Sequence, residues 1–210
     1  FEAGGNFIDT ADMYSRWAPG NHGGESETII GEWMKERGNR KKIILATKVG
    51  MEMGPNKKGL KKDYIFSAVE ASLKRLQTDY IDLYHLHNAT VEVIEGGEVW
   101  DLLERRKREG KIRYYGVSIN SVEEGLAAVK GTRSDTIQVE YNLTAQEPAQ
   151  KVFPQAQQAN VGVIARVPLR RGLLTGKFTL ADQARFQEDD VRARNFAGDR
   201  FRTELDKVEQ

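Results

Sequence analysis

Short apolar runs alternate with stretches of helical spacing along the whole chain, and this alternation limits the possible folds more than any other feature. Runs rich in β-branched and aromatic residues predict six strands: "NFIDT", "KIILATKV", "YIDLYHLH", "IRYYGVSI", "TIQVEYN" and "VGVIARVP". Between the strands, apolar residues recur at helical intervals, as in the series Phe66, Val69, Leu73 and Leu76. Strand–helix–strand repetition predicts parallel strands joined by right-handed crossovers.

Two α/β architectures fit this pattern, an open doubly wound sheet and a (β/α)8 barrel of the TIM type. The glycine pairs Gly4–Gly5 and Gly23–Gly24 do not form the GxGxxG fingerprint of a dinucleotide-binding doubly wound sheet, which favours the barrel. A complete barrel has eight strands over about 250 residues. With about six units visible in 210 residues, we expect an incomplete barrel that forms a single domain over 1–210.

A complete strand–helix unit is missing from both ends of the chain and from one internal segment. The opening "FEAGG" is typical of the last turn of a helix, and the closing "RTELDKVEQ" is typical of the first turns of another, so we expect a barrel domain truncated at both ends. The segment 168–202 is polar and has few periodic signals, which predicts a long loop after the sixth strand.

Several residues mark where helices begin. Ser121 before "VEE" predicts a capping box, and Asp63 is expected to open the helix that reaches Leu76. Glu25 and Glu27 are placed near the start of an earlier helix, where we expect them to interact favourably with the helix dipole.

Composition excludes several classes of protein. The net charge is +1 with 32 basic and 31 acidic residues, which argues against nucleic acid as a partner. The absence of cysteine excludes disulfides and thiolate metal sites, and only three histidines weigh against a zinc cluster, so we expect no metal. No apolar run approaches the roughly 18 residues of a membrane span, and no signal peptide is visible. We therefore expect a soluble, cytoplasmic protein with no membrane partner.

Polar side chains gather where the predicted strands end. In a parallel α/β fold these carboxyl ends share one edge, where reactive groups are found. The first three strands bring Asp9 with the following Tyr14, then Lys48, then His87. The later strands place further polar residues at the same edge: Ser118, Asn120, Gln138, Glu140 and Arg166.

The first four side chains suit one kind of chemistry. A tyrosine hydroxyl alone is a poor proton donor at neutral pH, and a neighbouring lysine ammonium stabilises the phenolate. An aspartate keeps such a lysine protonated, and a histidine can orient a carbonyl oxygen. The set therefore favours protonation of a carbonyl oxygen while hydride reaches the carbon.

Taken singly, each of these residues also has an ordinary structural interpretation. A lone aspartate at a strand end is usually a cap, a lysine pairs with surface acids, and a loop tyrosine packs. His85 and His87 share a strand face, so one of them could be a core histidine; we favour His87 as functional because it is nearer the edge. Asp12 is interpreted only as a loop or cap residue.

Long collinear motifs over nearly the whole chain resemble the aldo-keto reductases. They are "NFIDTADMY", "ILATKVG", "RLQTDYIDLYHLHN", "GKIRYYGVSINS", "IQVEYN" and "GVIARVPLRRGLLTGKF". The resemblance implies a catalytic tetrad in which Tyr14 is the general acid/base, Lys48 tunes its acidity, Asp9 holds Lys48 and His87 orients the substrate oxygen. It further implies reduction of an aldehyde or ketone, a small-molecule substrate, to the alcohol.

The resemblance also implies NADPH as the hydride donor and a set of residues that bind it. Ser118 and Gln138 match positions that hold the nicotinamide carboxamide, and the side chain at the Arg166 position stacks on the ring. "VPLRRG" matches the loop that passes the pyrophosphate, so we include Val167, Leu169 and Arg171.

The chain departs from the commonest family pattern at three positions. Ile119 replaces a frequent asparagine, and Asn120 could reach the site instead because it shares a strand face with Ser118. Arg166 replaces a frequent stacking tyrosine, and Asn88 replaces a frequent aromatic residue.

The first and last barrel strands of the family have no counterpart here. Open strand edges would favour a homo-oligomer or a domain-swapped barrel. Without the last strand, the adenosine end of the cofactor lacks its family site, so an inactive truncated fragment is a further alternative. A regulatory module similar to potassium-channel β-subunits is the alternative function.

Overall fold

Six parallel strands form one sheet in the computed structural model, which describes residues 1–55, 57–131, 133–187 and 190–209. The strands are β1 (Phe7–Asp9), β2 (Ile44–Val49), β3 (Ile81–His87), β4 (Ile112–Ser118), β5 (Thr136–Glu140) and β6 (Gly162–Arg166). Each strand pairs in parallel with the next one along the chain. All six predicted strands are therefore confirmed.

The strand order follows the sequence without reversal, from β1 at one end of the sheet to β6 at the other. A doubly wound sheet requires a reversal of strand order, so the barrel-type prediction is confirmed and that alternative is excluded. The parallel register aligns Lys48 with His85, His87 with Ser118, and Ser118 with Gln138. The predicted polar residues thus lie along one edge.

Helices follow the strands in the expected alternation. The α-helices are α1 (Glu25–Arg37), α2 (Lys62–Leu76), α3 (Val91–Gly96), α4 (Glu98–Arg108), α5 (Val122–Lys130), α6 (Glu147–Lys151), α7 (Phe153–Gln158), α8 (Val191–Asn195) and α9 (Arg200–Glu209). Short 3₁₀ helices span Arg40–Lys42, Arg170–Thr175 and Leu180–Arg185. None of the helices in the described ranges is both long and apolar enough to cross a membrane.

The predicted helix starts hold with one small change. Ser121 and Glu124 form the capping box before α5, each side chain bonding the other residue's backbone N–H. α2 begins at Lys62, one residue before Asp63. At the N-terminus, "FEAGG" forms a turn closed by a 3.0 Å bond from Gly4 N–H to the carbonyl of Phe1, where we expected the end of a helix.

The main core lies between the sheet and its helices. α2 buries Ile65, Val69 and Leu73 because these residues repeat at four-residue intervals on one helical face. α1 approaches α2 so closely at Gly31 that a β-carbon there would lie 2.7 Å from the carbonyl carbon of Leu76. This close contact packs α1 directly against α2.

The segment 168–202 is more ordered than the predicted long loop. It contains the last two 3₁₀ helices, α8 and the start of α9, and it carries a second, smaller core. This satellite cluster consists of Leu173, Phe178, Phe186, Phe196, Phe201, Leu205 and Val208. Its phenylalanines pack edge-on or tilted across separate short elements, so their spacing in the sequence shows no helical period. Residues 200–209 are helical, as "RTELDKVEQ" predicts, while Gln210 lies outside the described residues.

Candidate active site

Lys48, on β2, lies at the centre of the predicted site. Its side chain is fully buried, and its ammonium donates to Asp9 Oδ2 at 2.7 Å, to the Thr10 carbonyl at 2.7 Å and to Tyr14 Oη at 3.0 Å. An ammonium group has three N–H donors, and these three acceptors account for all of them. The structure therefore joins Asp9, Lys48 and Tyr14 through a single nitrogen atom.

The loop after β1 places Tyr14 beside this nitrogen. Thr10 and Asp12 continue the pairing with β2 through backbone bonds to the carbonyls of Ala46 (2.9 Å) and Lys48 (3.2 Å). A tight turn follows, in which Tyr14 N–H bonds the carbonyl of Ala11 at 3.2 Å. The phenol ring therefore lies over Lys48, with Nζ 4.7 Å from the ring centroid.

His87, at the end of β3, faces the same tyrosine. The two ring centroids are 6.1 Å apart in an edge-to-face arrangement. Burial, together with the charges of Lys48 and Arg166, lowers the pKa of His87 to about 3. The imidazole is therefore neutral near pH 7 and carries a single N–H. Its buried Nδ1 atom has no hydrogen-bond partner among the described residues.

His85 has different surroundings. It is fully buried, its Nε2 lies 2.8 Å from Thr136 Oγ1, and burial lowers its pKa to about 3. These features are those of a core histidine, the role that the sequence allowed for one of the two.

A cavity of about 540 Å³ opens next to Tyr14 and His87. Its wall from β4, β5, β6 and the segment after β6 includes most of the other predicted residues: Ser118, Asn120, Gln138, Arg166, Val167 and Arg171. Gln138 donates a 3.0 Å hydrogen bond to the second carboxylate oxygen of Asp9, so this wall is joined to the Lys48 cluster. Leu169 does not line the cavity and is 54% exposed, so the structure does not bring it to the site.

Ion pairs hold the arginine wall of the cavity. Arg166 donates to the carbonyl of Ile119 and to Asn120 Oδ1, both at 3.2 Å, and to Glu140 at 3.4 Å. Glu140 also accepts from Arg170, which in turn pairs with Glu204 of α9 at 2.8 Å. The segment after β6 is thereby tied both to β5 and to the C-terminal helix.

The backbone after Arg166 is strained. Val167 has φ of 56°, in the left-handed region that β-branched residues rarely occupy, and Arg170 and Arg171 also have positive φ values. The Asn142 amide donates to the carbonyl of Val167 at 3.2 Å and helps to hold this conformation. Strain of this kind concentrates at functional sites.

A buried polar cluster behind Lys48 was missed by the sequence-based interpretation. Glu27, expected to act at the helix dipole, is fully buried and accepts from Thr47 at 2.6 Å and from Arg75 at 2.7 Å. Asp12, interpreted as a loop or cap residue, is 1% exposed, and neither carboxylate oxygen has a partner among the described residues. Burial, and secondarily repulsion from Glu27, raise its pKa to about 7. The pattern "DTAD" carries no signal that separates the second aspartate from the first.

No three histidine, aspartate or glutamate side chains within the described ranges converge in a way that could hold a metal ion. Apart from Asp9, Tyr14 and His87, the polar side chains that line the cavity carry hydroxyl, amide and guanidinium groups. Such groups suit an organic ligand with both donors and acceptors.

Comparison with known proteins gives one consistent family. The model of the Aldo/keto reductase family matches residues 1–210. The aldo-keto reductase YhdN of Bacillus subtilis is 37% identical over 215 residues, which cover 100% of this chain and 61% of the relative. The chain spans 55 to 61% of the length of the curated relatives that it matches.

Solved structures of similar sequence share the fold. The holo form of aldo-keto reductase AKR11C1 from Bacillus halodurans has a TM-score of 0.72 at 40% identity, covering 82% of this chain and 56% of its own. An aldo-keto reductase from Klebsiella pneumoniae, solved in complex with NADPH, has a TM-score of 0.67 at 33% identity, covering 81% of this chain and 55% of its own.

Proposed function

Because the chain belongs to the aldo/keto reductase family, we propose that the protein reduces an aldehyde or ketone to the alcohol, with NADPH as hydride donor. The observation that carries the proposal is the Lys48 ammonium, which contacts Asp9 and Tyr14 at 2.7 and 3.0 Å. A buried lysine held between a carboxylate and a phenol stabilises the phenolate that proton donation leaves behind.

The cavity wall fits the nicotinamide end of such a cofactor. The Ser118 hydroxyl and the Asn120 and Gln138 amides line the cavity and offer the donors and acceptors that a carboxamide needs. The structure of a relative solved with NADPH supports the choice of this cofactor. Arg171 and the backbone of 167–171 are proposed to hold the phosphates.

Each residue of the tetrad then has a defined part. When bound, NADPH supplies the hydride that adds to the carbonyl carbon. Tyr14 gives its hydroxyl proton to the carbonyl oxygen, and Lys48 stabilises the resulting phenolate. Asp9 holds Lys48 in place, and the neutral imidazole of His87 is proposed to donate its single N–H to the same oxygen.

The Tyr14→Phe variant tests this assignment. It removes the proton donor and keeps the ring, so turnover of a reducible aldehyde should fall by roughly 10²- to 10⁴-fold, the usual contribution of a positioned acid. The dissociation constant of NADPH, measured by fluorescence titration, should stay nearly unchanged because the cofactor wall is untouched.

Tyr114→Phe is the matched control, since Tyr114 is an exposed tyrosine on β4 away from the cavity. It should retain both turnover and NADPH affinity. Full activity in Tyr14→Phe would remove Tyr14 as the acid, and a lack of NADPH binding by the unaltered protein would contradict the proposed function itself.

We further propose that the exposed outer edges of β1 and β6 allow self-association, because unpaired strand edges can accept another strand. A cytoplasmic location stays a prediction of the sequence. The regulatory alternative has less support, because a purely non-catalytic barrel has no need of the Asp9–Lys48–Tyr14 contact.

A further inference from the structure

We propose that Arg166 makes the cavity discriminate between the two redox states of the nicotinamide, so that the neutral reduced ring binds more tightly than the cationic oxidised ring. This inference rests on the proposed function. It adds a specificity-determining role for one residue of this chain.

The guanidinium of Arg166 is held as part of the cavity wall. Its Nη2 donates to the carbonyl of Ile119 and to Asn120 Oδ1, both at 3.2 Å, and its Nη1 lies 3.4 Å from Glu140. The side chain is 26% exposed, so the group is partly withdrawn from water. These contacts to three different acceptors prevent the charge from turning freely into solvent.

The backbone supports the same placement. The next residue, Val167, adopts a left-handed conformation, with φ of 56°, at a position where its β-branched side chain is unfavourable. The Asn142 amide holds the Val167 carbonyl at 3.2 Å. The backbone on the C-terminal side of Arg166 is therefore held in one conformation.

The charges around the cavity do not cancel Arg166. Asp9 is the one acidic residue among the described residues that line the cavity, and it is already paired with Lys48 at 2.7 Å. Glu140 pairs with Arg166 but is shared with Arg170 and lies outside the cavity lining. Arg171 adds another positive charge to the same wall. The cavity is therefore positive on balance.

The charge of Arg166 also acts on His87, which lines the same cavity. Its pKa is lowered first by burial, then by Lys48, and then by Arg166. A charge that disfavours imidazolium at His87 also disfavours another aromatic cation in the same cavity, because both are like-charge interactions in a partly water-excluded space.

NADPH and NADP⁺ are well suited to test this idea, because they carry the same phosphates and differ in charge only at the ring. The ratio of their dissociation constants therefore isolates the interaction with ring charge. Contacts to the phosphates affect both ligands alike and leave the ratio unchanged. A single partly solvated charge in the cavity wall is expected to shift the ratio of the two dissociation constants by about tenfold.

The experiment measures both dissociation constants by fluorescence titration and calorimetry for the unaltered protein and three variants. Arg166→Gln should lower the preference for NADPH over NADP⁺ by about tenfold, and Arg166→Lys should keep most of it because the charge remains. Arg171→Gln, which removes the proposed phosphate contact, should weaken both ligands and change their ratio less than Arg166→Gln does, because Arg171 is not among the charges that act on His87.

An Arg166→Gln protein that binds both forms with the original ratio would overturn the inference while leaving the proposed function intact. Equal weakening of both ligands by Arg166→Gln would also overturn it, since it would show a general contact only. If the unaltered protein binds neither form, the proposed function fails together with this inference.

Discussion

At the scale of single residues, the catalytic candidates and the buried Asp12 differ in how far the sequence reveals them. Asp9, Lys48 and His87 are predictable because parallel strands end at one edge, and Tyr14 because it lies in the loop that follows the first of these strands. Asp12 is only three residues after Asp9, yet its carboxylate is buried without a partner in the described structure. The direction of the Asp12 side chain depends on the path of the loop 12–24 and on how α2 packs against it. The spacing of residues in the sequence predicts neither.

Asp12 should make the stability of the protein depend on pH in an unusual direction. Burial raises its folded-state pKa to about 7, above the value near 3.9 in an unfolded chain. Between these values the folded state binds more protons than the unfolded state, so this group makes stability fall as pH rises from about 4 to 7. Below that range its contribution is constant.

The Asp12→Asn variant removes this titration. Relative to the unaltered protein, its free energy of unfolding by urea should increase with pH between 5 and 8, by up to roughly 2.5 kcal/mol, the part of the linkage energy that falls within this range. Asp79→Asn, at an exposed position, serves as the control and should show no such trend. A difference between Asp12→Asn and the unaltered protein that stays constant across this range would contradict the buried, uncompensated carboxylate.

At the scale of elements, strands and long amphipathic helices were predictable, and the short elements of 168–202 were not. β2 to β5 are apolar runs because helices or the barrel interior cover both faces, so the sequence marks them directly. The satellite cluster forms from phenylalanines on different short elements, and only the folded backbone brings these together. The close packing of α1 and α2 at Gly31 likewise depends on tertiary structure, since a single glycine within a helix does not predict which helix packs against it.

Gly31→Ala should destabilise the protein although alanine is the better helix former. A β-carbon at this position meets the backbone of Arg75 and Leu76, which cannot yield as a flexible side chain would. We expect a loss of roughly 1–3 kcal/mol from overpacking, measured by urea denaturation, which outweighs the gain of about 1 kcal/mol in helix propensity.

Gly96→Ala is the matched control, because Gly96 ends α3 and a β-carbon there meets nothing within 4 Å. It should be neutral or slightly stabilising. If Gly31→Ala were as stable as Gly96→Ala, the close approach of α1 and α2 would be wrong.

At the scale of the whole molecule, strand–helix alternation predicted a parallel sheet, and the missing GxGxxG fingerprint favoured the barrel type. Neither feature indicated what covers the two outermost strands. β1 and β6 end the sheet and are far more exposed than the strands between them. Whether an outer strand pairs with another strand depends on the assembly, and no local sequence pattern predicts it. Their exposure is the basis for the proposed self-association.

Val163→Lys tests that proposal, since Val163 lies on β6 and is 38% exposed. A lysine on an edge strand opposes pairing with another strand. The average mass in sedimentation equilibrium should rise with concentration for the unaltered protein and rise less for this variant. Ile29→Lys, 64% exposed on α1, should associate as the unaltered protein does. If the unaltered protein stays monomeric at all concentrations, association through these edges is ruled out.

The satellite cluster has a thermodynamic consequence for the cavity. It is a small core of its own, packed between α9 and the 3₁₀ helices, and Arg170 ties it to β5 through Glu140 and Glu204. Small peripheral units of this kind open at a lower free energy than the central sheet. Whenever this unit opens, Arg170 and the strained turn after Arg166 lose their support. The apparent affinity of any cavity ligand is therefore reduced by the fraction of molecules in which the unit is open, and ligand binding in turn favours its closure.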